Sequence, residues 1–183
     1  LLGKVGLNNT YSIGVTREVI DRYGAEKISD LVPIAGELDF GAEHEFYTEE
    51  GSMKYQPFVD FYGLSFQSAK PVDVVLKYNA VEGGAFDVMV VYATDGLNKR
   101  AGLTILEDDL GFFPEYYGAF LVREDLFQDF YDAAPNLEQV LELLTGQVSS
   151  EDMVELTYAV DVDGRDVAQV AREFLVSKGL LSA

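Results

Sequence analysis

The sequence predicts an α/β fold with a largely parallel sheet. Three features lead there. Phe86–Tyr92 is a run of apolar and β-branched residues, the mark of a strand covered on both faces. Strand-like and helix-like segments alternate up to about Pro114, as in a parallel sheet with crossover helices. The chain has 183 residues and is 48 % apolar, enough for a substantial core, and no apolar run is long enough to span a membrane.

In chain order, Lys4–Leu7 reads as a short strand and Asn8-Asn9-Thr10 as a polar turn. Tyr11–Val15 resumes the extended pattern. Thr16 is placed to cap a short helix that Gly24 ends, with Glu18 in its first turn. Ile28–Leu38 reads as a helix broken by Pro33, and Leu38–Ala42 as a strand. Glu43–Gly51, containing His44, reads as a polar turn region. Lys54–Tyr62 is expected to be helical with Gly63 as its stop. Pro71–Glu82 is expected to form a helix opened by Pro71 and closed by Gly83-Gly84. The central strand Phe86–Tyr92 follows, then a short helix over Thr94–Ala101. Leu103–Glu107 reads as a strand, Asp108–Pro114 as a loop and Tyr116–Val122 as a strand. Past Pro114 helices dominate: Glu124–Tyr131, Leu137–Leu144, Ser149–Ala159 and Asp166–Lys178. Ser150-Glu-Asp-Met and Asp163-Gly-Arg-Asp166 look like helix starts.

Charge and composition exclude several function classes. The formal net charge is -19, from 32 acidic and 13 basic residues, which opposes nucleic acid and anionic membrane and favours cations. Cysteine is absent, so disulfides and thiol chemistry are excluded. The N-terminal LLGKVGLNN has no apolar h-region, so a signal peptide is not expected within this chain. Asp161-Val-Asp163-Gly164 faintly resembles a calcium loop, but Arg172 occupies the position where an acidic twelfth ligand is needed. His44 lies between two glutamates whose side chains diverge, which is not a metal spacing. No phosphate-binding loop, dinucleotide fingerprint or nucleophile elbow occurs. No cofactor and no catalytic constellation is expected.

Tyrosines at strand ends are the remaining signal: Tyr11 after Asn8-Asn9-Thr10, Tyr92 before Thr94-Asp95-Gly96, and Tyr116-Tyr117 after Phe112-Phe113-Pro114-Glu115. The plain reading of Tyr92 is a cap on a core strand with its hydroxyl in water. If the rings converge, they suit a quaternary ammonium ion. Such an ion donates no hydrogen bond, yet an aromatic face attracts it by about 0.5–2 kcal/mol.

Those tyrosines lie within longer blocks: GLNNTYSIGV (6–15), ISDL (28–31), FGAEHEF (40–46), LKYNAVEGGAFDVMVVYATDG (76–96), LEDDLGFFPEYYGAFLVRED (106–125) and VDVDGRDVAQVAREFLVSKGLL (160–181). Over essentially the whole chain they resemble the substrate-binding protein, or fused binding domain, of ABC importers for osmoprotectants such as glycine betaine, choline and carnitine. The resemblance implies a type II periplasmic-binding-protein fold, whose two α/β lobes close on a ligand held in a tyrosine cage. It maps cage tyrosines to Tyr11, Tyr92 and Tyr116, with Tyr117 adjacent. The flanking Asn9, Thr10, Thr94 and Asp95 of the same motifs join the expected ligand-binding set.

Family members carry a longer N-terminal part. The resemblance therefore implies one complete lobe with a mainly parallel sheet, lobe two, over 1–113. Residues 114–183 would form the helical C-terminal part of lobe one. Such a tail would expose an apolar face, and a swapped or self-associated dimer is one way to cover it. Some members clamp a ligand carboxylate with an Arg shortly after the G-A-E-x-E-F run. Tyr47-Thr48-Glu49-Glu50 stands there instead, which favours choline. Ergothioneine, a betaine bound by related fused domains, stays open. The implied role is non-enzymatic and extracytoplasmic: capture of a small quaternary amine for a membrane permease and its ATPase, with attachment through a lipid anchor or a permease fusion outside this chain. Rival readings are the effector domain of a regulator, which lacks a DNA-binding segment here, and an enzyme acting on a cation.

Overall fold

The computed structural model describes residues 1–182. Its main sheet has five strands in the order β4-β3-β5-β2-β6. They are β2 (Tyr11–Val15), β3 (Asp39–Glu43), β4 (Ser68–Val72), β5 (Val88–Tyr92) and β6 (Thr104–Ile105). The sheet is mixed rather than mainly parallel: β3 runs parallel to β4 and β5, whereas β2 runs antiparallel to β5 and β6. An apolar run reports that both faces of a strand are covered and says nothing of its direction. A separate antiparallel pair joins β1 (Lys4–Asn8) to β7 (Tyr117–Ala119).

Strand β5 sits at the centre, and its side chains alternate between two cores. Val88 and Val90 pack with Ile13, Val15, Phe40, Phe46 and Phe58. Met89 and Val91 pack with Tyr78, Val81, Phe86 and Leu103. The first core is capped by helix α1 (Arg17–Tyr23), by 3₁₀ turns at Ile28–Leu31 and Ala35–Glu37, and by helix α2 (Tyr55–Tyr62). The second is covered by α3 (Lys77–Glu82) and α4 (Leu97–Arg100).

Several local expectations need correction. Pro71 lies in β4 and does not open a helix; among the described residues β4 pairs only with β3, and an edge strand tolerates a proline. A turn over Asp73–Leu76 follows, with Leu76 N–H donating to the Asp73 carbonyl at 2.9 Å, and the helix starts only at Lys77. Thr16 occupies the N-cap position of α1, but its side chain makes no cap bond and its hydroxyl is buried without a partner. Ile28–Leu38 forms two 3₁₀ turns rather than one broken helix, and His44–Tyr47 forms another inside the expected polar turn. At the start of the helix Ser150–Asp161 the cap is Ser149, which closes a reciprocal box with Asp152, not Ser150.

The C-terminal helices are α5 (Leu126–Asp129), α6 (Leu137–Glu142), α7 (Ser150–Asp161) and α8 (Val167–Ser177). Of their residues only Val170 is buried. A groove beside them, lined by residues such as Val5, Leu7, Phe120, Leu156 and Phe174, is almost wholly apolar. Helix α7 docks on the main sheet through the loop after β5. Gly96 N–H donates to Thr157 Oγ1 at 2.9 Å, and the Thr157 hydroxyl, whose nearest acceptor is the Met153 carbonyl at 2.9 Å, lies 3.1 Å from the Thr94 carbonyl.

A Cβ on Gly96 would lie 2.4 Å from the Tyr158 backbone nitrogen, a main-chain clash that no rotamer relieves. Gly96→Ala is therefore expected to destabilise the fold by about 1–3 kcal/mol, read as a lowered urea midpoint. An unchanged midpoint would contradict this docking.

Candidate ligand-binding site

The site forms where the β2–β5 pair leaves the core. The antiparallel register sets Tyr11, the first residue of β2, opposite Tyr92, the last of β5. Directly opposed side chains share one face of a sheet. The two rings stack with centroids 5.0 Å apart and planes 24° from parallel, and the Tyr92 hydroxyl makes a long contact of 3.5 Å with that of Tyr11. Phe46 and Phe113 meet Tyr11 edge-on at 5.9 and 6.3 Å. Burial, the Tyr92 hydroxyl and the nearby Glu43 and Glu45 carboxylates push the Tyr11 phenol well above its ordinary pKa.

A polar network holds Tyr92 from the other core. The Lys77 ammonium, 2 % exposed, pairs with Glu43 at 3.0 Å. It lies 5.1 Å from the centroid of Tyr92 and 5.1 Å from that of Tyr78. The Tyr78 hydroxyl is 2.6 Å from Asp95 Oδ2, and Asp95 Oδ1 accepts from Leu97 N–H at 2.9 Å. Asn98 Nδ2 donates to the Tyr92 carbonyl at 2.8 Å. Burial first, then the Asp95 carboxylate, raise the Tyr78 phenol.

In front of the stacked rings is a hollow of about 520 Å³. Asn9, Thr10, Tyr11, Tyr92 and Tyr116 line it together with Glu45, Met53, Lys54 and Pro114. Tyr116 is 69 % exposed and stands at the rim. Its backbone is nevertheless fixed: its N–H donates to Asn8 Oδ1 at 2.6 Å, and its carbonyl accepts from Asn9 N–H at 3.0 Å. Thr10 Oγ1 donates to the Pro114 carbonyl at 2.7 Å. The turn before β2 and the segment before β7 are thereby tied into one wall.

The remaining expected residues lie elsewhere. Thr94 is buried and donates to Asn9 Oδ1 at 2.7 Å, and Asp95 is engaged with Tyr78 and Leu97; neither lines the hollow. Tyr117, the first residue of β7, does not line the hollow. Tyr117 bonds Glu115 at 3.0 Å, with Lys4 Nζ 3.9 Å above its ring. Glu45, Met53 and Lys54 were not read as lining residues from the sequence. Their segment looks like a solvated turn and a helix start, and only the tertiary fold brings it over Tyr11.

The rings at 5.0 Å leave no space for an ammonium group between them, so a ligand meets them from the open side that faces Tyr116. Aromatic walls with a thioether beside them suit an apolar cation. No cluster of three metal-ligating side chains occurs among the described residues.

Comparison with known proteins gives a family and a fold. The family described as the substrate-binding domain of the ABC-type glycine betaine transport system matches residues 1–177. The chain is 32 % identical over 98 % of its length to the ergothioneine transport permease/ergothioneine binding protein EgtU of Helicobacter pylori, and covers 31 % of that protein. It is 30 % identical over 93 % of its length to the carnitine transport binding protein OpuCC of Listeria monocytogenes, of which it covers 54 %. The chain thus spans about a third to a half of these relatives. A solved structure of a glycine betaine/carnitine/choline ABC transporter superposes with a TM-score of 0.85 at 31 % identity, covering 98 % of this chain and 64 % of that one. Apo YehZ from Escherichia coli shares the fold, with a TM-score of 0.74 at 24 % identity, 98 % coverage of this chain and 66 % of that one. The fold is of the type II periplasmic-binding-protein class.

Two outcomes follow from the site's electrostatics. A phenol raised above its unfolded value of 10.0 stabilises the fold below that pH and loses the contribution as pH climbs toward the raised value. Ultraviolet titration should therefore show several late-ionising tyrosines, Tyr47, Tyr62 and Tyr78 among them, and Tyr11→Phe should remove one; an unchanged number of late-ionising tyrosines in Tyr11→Phe would contradict this. Lys77→Met should cost up to about 3 kcal/mol in urea unfolding, because it leaves Glu43 unpaired, and adding Glu43→Gln should recover part of the loss. Additive losses would show that the pair is uncoupled.

Proposed function

This chain belongs to the family of substrate-binding domains of ABC-type glycine betaine transport systems, and on that premise we propose that it captures a quaternary ammonium solute against Tyr11, Tyr92 and Tyr116. The observation that carries the reading is that these three residues line one hollow of about 520 Å³. That volume suits a small ligand, and pockets of this size place few polar groups among apolar walls. The net charge of -19 adds a field that draws cations toward the protein. Tyr11 and Tyr92 fill each other's facing sides and Lys77 lies behind Tyr92, so the ligand meets only the open side of the pair and Tyr116; at roughly 0.5–2 kcal/mol per free face, less the cost of immobilising the ligand, this gives affinities of about millimolar.

In this reading no bond is made or broken. The protein selects its solute and delivers it to a membrane permease driven by an ATPase, outside the cytoplasm. The permease/binding-protein name of the Helicobacter pylori relative supports a fusion as one means of attachment, with a lipid anchor as the other. Residues 1–113 act as one lobe and 114–183 as part of the second, with the β1–β7 pair between them. The apolar groove beside the C-terminal helices supports a further partner there, whether the rest of that lobe or a swapped second copy. Asn9 and Thr10 line the hollow, while Thr94 and Asp95 act by holding its loops and Tyr117 is a neighbour outside it. Ergothioneine, named in the Helicobacter pylori relative, is the second ligand to weigh beside glycine betaine, carnitine and choline.

Isothermal calorimetry of the full-length gene product tests the reading. Tyr92→Ala should weaken every quaternary amine by about tenfold or more, and Tyr92→Phe by much less, because the ring that holds Tyr11 in its stack, and not the hydroxyl, builds the wall of the hollow. Equal affinities for wild type and Tyr92→Ala would refute it.

A further inference from the structure

We infer that Lys54 makes the hollow selective for zwitterions, solutes that join a carboxylate to the methylated nitrogen. The inference rests on the proposed function above and narrows its ligand class. Among the residues lining the hollow, Lys54 is the single cation and Glu45 the single carboxylate. The lysine is held in place rather than waving in solvent. Its side chain is 16 % exposed, and Nζ donates to the Glu45 backbone carbonyl at 2.7 Å. The Glu45 carboxylate is 3.8 Å away and 80 % exposed, so water screens it and it neutralises the ammonium only weakly.

An ammonium group has three N–H donors. The Glu45 carbonyl is the hydrogen-bond acceptor found for this one among the described residues, which leaves donors for a ligand. Lys54 also stands at the N-cap of α2, where the helix dipole disfavours a cation and favours an anion. A carboxylate bound beside Lys54 would relieve that mismatch and gain a charge-assisted bond. Choline brings a cation with no anion into the same hollow and is repelled by the fixed ammonium. The run Tyr47-Thr48-Glu49-Glu50 supplies no positive charge, which in the sequence favours choline. The fold returns Lys54 to the wall and reverses that preference.

The test is calorimetry of the full-length gene product with glycine betaine, carnitine and choline, comparing wild type, Lys54→Gln and Lys54→Arg. The quantity read is the ratio of betaine or carnitine affinity to choline affinity. Wild type and Lys54→Arg should favour the zwitterions, and Lys54→Gln should shift the ratio toward choline by about tenfold or more. A ratio unmoved by Lys54→Gln overturns the inference, including the case in which all three affinities fall together. If wild type binds none of the three, the proposed function fails and this inference with it. Binding of all three with an unmoved ratio removes the inference alone.

Discussion

The antiparallel pairing of β2 with β5 is the constraint on which the rest of the structure depends. Strand β5 is buried on both faces, so its register cannot slip without moving Val88 and Val90 out of one core and Met89 and Val91 out of the other. With that register locked, Tyr11 and Tyr92 must lie side by side where the sheet surfaces. The site is thus a by-product of core packing. Its two central rings are positioned by rigid strands rather than by mobile loops.

Around this pair the molecule places its buried polar groups. Lys77 and Glu43 form an ion pair within the second core, at the rear of Tyr92. Asp95 and Asn98 hold the turn after β5 to Tyr78 and to the Tyr92 carbonyl. These groups add little net stability, since desolvation offsets most of the attraction between buried charges. Their effect is on geometry, because they fix the direction in which the chain leaves β5 toward Gly96 and α7. Tyr116 arrives from the opposite direction, through the β1–β7 pair, and completes the wall from a part of the chain that contributes nothing to the sheet.

Much of this was legible in the sequence where local chemistry and tertiary structure agree. The run ending at Tyr92 announced its strand, Gly24 and Gly63 marked helix ends, and Asp166 capped the last helix. Pro71 misled because a helix start and an edge strand tolerate proline equally. Strand direction was hidden because burial on two faces looks the same in a parallel and an antiparallel neighbour. The motif that contains Tyr92 also contains Thr94 and Asp95, yet chain proximity did not carry them to the same hollow; strand alternation and a tight turn sent them inward. Lys54 was invisible as a lining residue because it is far from Tyr11 in sequence and reaches the hollow only through the tertiary fold, tied to the Glu45 carbonyl.

The central claim is that aromatic faces, and not the many surface carboxylates of this acidic chain, receive the methylated nitrogen. A crystal structure with tetramethylammonium tests it directly, since that ion has no other group to hold it. The account predicts its nitrogen within about 6 Å of the Tyr11, Tyr92 and Tyr116 ring centroids. An ion seated among exposed carboxylates, with the space before those rings filled by water, would contradict it.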